Sequence, residues 1–251
     1  MQNLFYATAE NGVAAMVYAP SKVKVLVAYG VNVAIEEITN YPFEDEIIFN
    51  VNPEQTTEFA FELRIPRWCD NPKLTINGVE ITVNPQKGMV KINRTWHKKD
   101  ILKLQLPMEI KTSRWFEKSV AIQRGPLLYA LKIKEDWQEK KQEPWSNSYF
   151  EVYPKSDWNY GITKKSLDNK NFTFKTNQVV TDMPWNLENA PSSIITIAKR
   201  IPYWTEYNGS SGRIPVPSGQ QKPTGTEEEK IELIPYGCTT LRISQFPVIF
   251  N

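Results

Sequence analysis

The chain has 251 residues, 41% of them hydrophobic and 23% charged, and its net charge is +2 from 30 basic and 28 acidic side chains. This length allows one large or two ordinary β domains, and the balanced charge gives no basic surface for nucleic acid or an anionic membrane. No stretch reaches the roughly 18 apolar residues of a membrane helix, and the start lacks the basic and apolar regions of a signal peptide.

The first half of the chain predicts short strands separated by turns. In residues 58–65, and again in residues 101–106, apolar and mostly polar side chains alternate, as in a strand with one buried face. Asn77-Gly78 favours a type I′ turn because both residues readily take positive φ, so a hairpin is predicted over Lys73–Val83. The predicted strands are Gly12–Ala19, Val23–Tyr29, Val31–Thr39, Glu46–Val51, Glu58–Ile65, Lys73–Ile76, Val79–Val83, Met89–Asn93 and Ile101–Leu106.

The second half has a less regular pattern. Val120–Ile133 is apolar and predicts one strand, or two strands joined by a bend at Gly125-Pro126. Asp136–Gln142 is compatible with one short helical turn. The further predictions are strands at Ile194–Ala198 and Ile201–Tyr207, an exposed loop at Gly209–Lys230 and a final strand pair around Pro235-Tyr236-Gly237.

These patterns together predict an all-β protein. Short alternating strands with frequent turn signals are typical of antiparallel β-sandwiches. We expect two tandem sandwich domains of jelly-roll-like type, the first over residues 1–112 and the second over residues 113–251 with long Trp-rich loops.

The sequence contains no recognisable catalytic arrangement of residues. Hydrolysis of a sugar requires two facing carboxylates, or a nucleophile with a base or metal beside it. Glu36 and Glu37 are neighbours on one strand and point to opposite faces, so they cannot act as a pair. His97, the single histidine, lies in a hydrophilic link and is expected to be an exposed turn residue.

Metal binding is equally poorly supported. A zinc site needs three or four suitably spaced ligands, whereas the chain has one histidine and two isolated cysteines, Cys69 and Cys238. The usual role of such cysteines is that of small buried hydrophobes, although a disulfide between them is possible. We therefore predict no catalytic or metal-binding residue and no cofactor in this chain.

Tryptophans in polar segments suggest a second role. A Trp ring offers a flat apolar face to a sugar, and neighbouring polar groups can bind its hydroxyls. The alternative is that these rings anchor their own loops, and both interpretations remain open. The candidate carbohydrate-binding residues are Trp145, Trp158, Trp185, Trp204 and Asp157.

Several segments resemble one known family. They include LRIPRWC (Leu63–Cys69), GMVKINRTW (Gly88–Trp96), VAIQRGPLLYAL (Val120–Leu131), EVYPKSDWNYGI (Glu151–Ile162) and IELIPYGCTTLRISQFP (Ile231–Pro247). In this order, and over nearly the whole chain, they are similar to the region that follows the catalytic domain in bacterial β-L-arabinofuranosidase-like glycoside hydrolases.

The resemblance implies that the active site lies in a domain other than the β-sandwich region. In that family an α/α-toroid domain carries the active site, which uses a cysteine nucleophile near zinc, and two β-sandwich domains follow it. The adjacent cysteine pair of the family has no counterpart at Cys69 or Cys238, so no catalytic or zinc-binding residue transfers to this chain. Zinc is expected only in the toroid, and the expected partners are that toroid, a second copy of this chain or a plant-type oligosaccharide.

Three functional hypotheses follow. The first is a non-catalytic scaffold of a hydrolase that acts on arabinose-containing glycans, exported if the full-length parent is exported. The second is a stand-alone carbohydrate-binding module that uses the loop tryptophans. The third is an enzyme built from two of Asp157, Asp182 and Glu188, which would have to face one cleft about 5–10 Å apart.

Overall fold

The structure, a computed structural model, describes residues 3–141, 143, 145–168, 171–176, 180–216 and 226–249. Strands dominate, and the helical segments of this part of the chain are single 3₁₀ turns. The fold divides into a first unit, Met1–Glu109, and a second unit, Ile110–Asn251. The all-β prediction is confirmed.

The strands of the first unit are β1 (Phe5–Ala7), β2 (Val13–Ala15), β3 (Ser21–Val27), β4 (Val31–Thr39), β5 (Glu46–Pro53), β6 (Thr57–Arg64), β7 (Lys73–Ile76), β8 (Val79–Ile81), β9 (Met89–Trp96) and β10 (Asp100–Gln105). They form a four-stranded and a six-stranded sheet, in the orders β1-β2-β6-β9 and β3-β4-β5-β10-β7-β8. All pairs are antiparallel except β2 with β6, which is parallel.

The core of the first unit lies between these two sheets. Along β5, buried Ile47, Phe49 and Val51 alternate with half-buried residues, so one face of the strand is apolar, as the sequence period predicts. Phe49 contacts Phe61 of β6 edge to face, with 5.2 Å between the ring centroids. Trp96 of β9 is fully buried and donates its indole N–H to the carbonyl of Phe59. The result is a packed apolar core between the two sheets, in which the indole N–H of Trp96 has a hydrogen-bond partner.

The predicted hairpin over residues 73–83 is present. Asn77 and Gly78 have φ of 50° and 82°, as a type I′ turn requires, and β7 pairs with β8 on either side. The Asn77 amide also bonds Asp100 and the backbone N–H of Ile101, which fixes the turn on β10.

The strands of the second unit are β11 (Ile110–Arg114), β12 (Val120–Arg124), β13 (Leu127–Leu131), β14 (Glu135–Lys140), β15 (Tyr149–Pro154), β16 (Tyr160–Thr163), β17 (Thr173–Thr176), β18 (Ser192–Arg200), β19 (Glu206–Tyr207), β20 (Ser210–Ser211), β21 (Glu228–Pro235) and β22 (Val248–Ile249). They form an eight-stranded sheet in the order β11-β12-β13-β21-β18-β16-β22, with β17 also paired to β18, and two small ribbons, β14-β15 and β19-β20. Phe246, just before β22, forms an isolated antiparallel bridge with Val120 of β12, which links the two ends of the sheet.

The structure settles the alternatives left open for the second half. Val120–Ile133 forms two strands, because Gly125 takes positive φ and reverses the chain between β12 and β13. Residues 110–112, which the sequence analysis placed in the first domain, belong to β11 and pair with β12 of the second unit.

Three local predictions are wrong. Residues 135–140 form strand β14 rather than a helical turn, since β15 pairs with them over six residues. Ile201–Tyr207 is not one strand, because β18 ends at Arg200 and only Glu206–Tyr207 is extended and paired. The two last strands are not partners: β21 lies between β13 and β18, whereas β22 pairs in parallel with β16.

Candidate functional site

A cleft of about 220 Å³ lies within the second unit, where several loops meet beside the β14-β15 ribbon. One part of its wall is apolar and the other presents hydroxyl, carboxylate and guanidinium groups. The lining residues are Ile133, Val152, Tyr153, Pro154, Trp158, Glu206, Gly209, Ser210, Ser211, Thr240, Leu241, Arg242 and Ile243. We call this feature the Trp158 cleft.

One polar side of the Trp158 cleft is a short hairpin. Asn208 and Gly209 have φ of 50° and 70°, so they form a type I′ turn between β19 and β20. The turn places Glu206 and Ser211 as a cross-strand pair at the cleft. The backbone N–H of Gly212 closes the hairpin onto the carbonyl of Thr205.

Trp158 forms the aromatic wall of the cleft, and neighbouring residues support its ring. Trp158 meets Trp204 edge to face, with 5.2 Å between ring centroids and 72° between the planes. Trp204 is only 3% exposed and donates its indole N–H to the carbonyl of Gly212. Buried Asn159 donates its side-chain amide to the carbonyls of Ile201 and Trp204. The Trp158 ring is therefore positioned by packing and by hydrogen bonds in the layer beneath it.

Two opposite charges reach the cleft. Arg242 donates from Nε to the carbonyl of Thr239, and its guanidinium lies 4.8 Å from the Tyr236 ring centroid. These contacts fix the guanidinium plane and leave its Nη donors for other acceptors. Glu206 is an exposed carboxylate on the facing hairpin, so the formal charges of the two lining groups cancel.

Glu135 ties the β14-β15 ribbon to the loop that carries Arg242. Its Oε1 accepts hydrogen bonds from the Thr239 hydroxyl and from the backbone N–H groups of Thr240 and Leu241, while Oε2 accepts the Trp137 indole N–H. Burial alone would raise the pKa of Glu135, but these hydrogen bonds favour the carboxylate, and its pKa is lowered overall. The carboxylate thus joins two parts of the cleft wall.

Replacing Glu135 with alanine is expected to destabilise the second unit by about 1–2 kcal/mol, because charged hydrogen bonds to backbone amides are lost. Since the pKa of Glu135 is lowered by folding, this loss should be complete at neutral pH and should shrink as the pH falls through the carboxyl range. Hydrogen exchange at the amides of Thr240 and Leu241 measures the effect. Glu139→Ala, on the same strand but exposed, is the matched control, and equal exchange in the two variants would contradict the expectation.

A second, more open cleft adjoins the first and shares Pro154 and Trp158 with it. Asp157 lies here and forms an ion pair with Arg200, with 3.0 Å between the charged atoms. The structure therefore brings together Trp158, Trp204 and Asp157 of the predicted carbohydrate-binding set.

Trp145 and Trp185, the other predicted residues, are not among the side chains that line these two clefts. Trp145 is 83% exposed in the loop after β14. Trp185 is 48% exposed, and its ring packs so closely over Gly237 that a Cβ there would approach within 2.7 Å. A role of these two rings in sugar binding stays a prediction.

Three titratable residues of the first unit, His97, Glu36 and Glu37, are considered in the sequence analysis. His97 is exposed in the link between β9 and β10, as expected. Glu37 is 2% exposed, on the inner face of β4, and burial raises its pKa to about 7 although the Ala19 amide and the Ser21 hydroxyl donate to it. The outward-facing Glu36 instead pairs with Lys22.

Neither cysteine is placed for nucleophilic chemistry. Both Cys69 and Cys238 are buried, in different units. Burial raises the pKa of the Cys238 thiol to about 11, despite a backbone hydrogen bond at Asn186 that opposes the shift. Within the ranges that the structure describes, no group of three or more His, Cys, Asp or Glu side chains could hold a metal ion, and no helix is long and apolar enough to cross a membrane.

Several lining residues were missed by sequence reasoning. Glu206, Ser210 and Ser211 fall at the edge of segments predicted as one strand and one loop, and Arg242 falls in the predicted final strand pair. The Asn208-Gly209 dipeptide is the signal that could have predicted the β19-β20 hairpin. No local pattern indicates that the 239–243 segment meets that hairpin.

One family model matches most of the first unit. Residues 12–108 match the family model described as the middle domain of GH127 β-L-arabinofuranosidase. A comparison with curated proteins gave no match. The matched range lies inside the first unit.

Solved structures share the fold of both units. A GH127 β-L-arabinofuranosidase from Geobacillus stearothermophilus T6 matches with a TM-score of 0.65 and 22% identity, over 99% of this chain and 35% of its own. A glycoside hydrolase matches with 0.64 and 21%, over 96% and 36%. The GH127 β-arabinofuranosidase BT3674 matches with 0.63 and 18%, over 96% and 35%.

This chain therefore spans about a third of the length of the enzymes whose fold it shares. Its first unit and the family match coincide, and the sandwich fold agrees with the region predicted from the sequence motifs. Residues 12–108 are thus similar to the GH127 β-L-arabinofuranosidase middle domain, and the chain shares the all-β fold of about a third of each of these glycoside hydrolases.

Proposed function

We propose that the chain is a non-catalytic accessory region of a glycoside hydrolase that acts on arabinose-containing plant-type glycans. The observation that carries the proposal is the GH127 middle-domain match over residues 12–108, in a sandwich whose core is filled by its own side chains. Its proposed partners are a catalytic toroid domain or a second copy of the chain, and zinc is assigned to the toroid. The name of the Geobacillus relative supplies the arabinofuranoside substrate class.

The chemistry of the described residues supports this proposal. A thiol whose pKa is raised to about 11 is a poor nucleophile at neutral pH, which applies to Cys238. Asp157, the acidic candidate nearest the clefts, is engaged by Arg200. Neither group meets the requirements for covalent sugar hydrolysis.

The purified chain is expected to release no nitrophenol from p-nitrophenyl β-L-arabinofuranoside above the buffer blank. A full-length GH127 arabinofuranosidase, assayed beside it with zinc and a thiol reductant, is the positive control. Hydrolysis that co-purifies with the chain through two independent chromatography steps would refute the non-catalytic assignment.

Glycan binding is a second candidate function, and the Trp158 cleft is the observation that favours it. A binding module would act independently of a catalytic partner, whereas a pure scaffold would bind no sugar. Sugar titrations distinguish the two.

A further inference from the structure

We propose that the Trp158 cleft binds one neutral sugar residue of an arabinose-containing glycan, with Trp158 as the stacking platform and Glu206 as the hydroxyl acceptor. The sugar class rests on the function proposed above, whereas the site itself rests on the geometry of the cleft.

The volume limits the ligand. Pockets that hold drug-sized molecules span about 300–1,000 Å³, and the Trp158 cleft has about 220 Å³. It can enclose a single sugar ring while the rest of a glycan continues outside. The adjoining open cleft shares Pro154 and Trp158 with it, and it offers space for the next sugar residue of the glycan.

The lining suits both the apolar C–H face of a sugar and its hydroxyl groups. An apolar wall, formed by Trp158, Val152 and Ile243, suits the C–H face of a sugar ring. Glu206 accepts two vicinal hydroxyls through its two oxygens, and the Nη groups of Arg242 donate to ring or hydroxyl oxygens. Because these two charges cancel, the cleft favours a neutral polyol over an anion or a cation.

The site is organised before any ligand arrives. Trp204 and Asn159 hold the Trp158 ring, the Thr239 carbonyl and Tyr236 hold Arg242, and the type I′ turn holds Glu206. Fixing these groups in the free protein lowers the entropy lost on binding. Trp145, by contrast, is 83% exposed.

The test is a titration of the ¹⁵N-labelled chain with methyl α- and β-L-arabinofuranosides and with arabino-oligosaccharides, followed through the indole N–H resonances. We expect a saturable shift of the Trp158 resonance at millimolar ligand, without a shift of Trp145. Glu206→Gln should weaken binding about tenfold, because a charged hydrogen-bond acceptor is lost. Glu228→Gln, an exposed carboxylate on β21, should leave the affinity unchanged.

The proposal is overturned if no indole resonance shifts at tens of millimolar sugar, if Trp145 alone responds, or if the two Glu variants bind equally well. Binding of glucosides in preference to arabinofuranosides would overturn the sugar class. These failures differ from failure of the accessory function, which would appear as turnover in the hydrolysis assay whether or not the cleft binds sugar.

Discussion

Replacing Asn159 with alanine is expected to lower the free energy of unfolding of the second unit by on the order of 3 kcal/mol. The side-chain amide is buried and donates to two carbonyls, at 3.0 Å and 3.1 Å, while its oxygen accepts from Nε of Arg200. Alanine removes all three bonds, and a buried polar group left without its partner costs about 1–3 kcal/mol. Denaturant unfolding monitored by Trp fluorescence measures the loss.

The same variant should also loosen the Trp158 cleft. The Trp204 indole N–H, bonded to Gly212, should exchange with solvent faster, and sugar affinity should fall with it. Asn171→Ala is the matched control, because Asn171 is exposed and its side-chain amide donates to the Lys165 carbonyl at the surface. If both variants lose the same stability, Asn159 is not the organising residue of this loop.

Replacing Glu37 with glutamine is expected to stabilise the first unit at pH 8 by up to about 3 kcal/mol and to have little effect near pH 4. Burial raises the pKa of Glu37 from 4.5 to about 7, so the folded state holds this proton more tightly than the unfolded state does. Stability from this group is therefore fully present below pH 4.5 and is lost as the pH rises through 7, at 1.36 kcal/mol per unit of pKa difference.

Glutamine preserves the geometry of that site without its charge. Its oxygen can accept the Ala19 amide and its NH₂ can donate to the Ser21 hydroxyl, in the places where the carboxylate accepts from both. Melting temperatures recorded from pH 4 to pH 8 test the expectation. Glu36→Gln, one residue away on the outer face, should show no such rise at alkaline pH, because hydrogen bonds from Lys22 and Asn50 lower the pKa of Glu36.

Local pattern was sufficient for the longer strands of the first unit because buried residues alternate with more exposed ones along β4, β5, β9 and β10. The period of two in residues 46–53 and 57–64 marks β5 and β6, and Asn77-Gly78 marks a hairpin whose turn depends only on its own backbone. The same reasoning failed at residues 135–140. These residues are polar except for exposed Trp137, so no apolar face marks them as a strand, and the strand exists because β15 pairs with it.

The functional residues divide in the same way. Trp158 and Asp157 were recognisable as an aromatic and an acid in a polar loop. Glu206 and Arg242 were not, because their significance depends on which loops meet. Glu37 shows the limit for charged residues: strand alternation predicts that it opposes Glu36, but not which of the two faces is the interior.

The sequence by itself determined the all-β class, the family resemblance and the alternation that builds the first sandwich, since these depend on short-range periodicity and on motifs read in order. Only the tertiary structure decided which strands pair in the second unit, that Glu37 is buried, and that residues 133, 152–154, 158, 206, 209–211 and 240–243 share one cleft. Those features arise from contacts between segments up to about a hundred residues apart, where packing and long-range hydrogen bonds, rather than local propensity, select the arrangement.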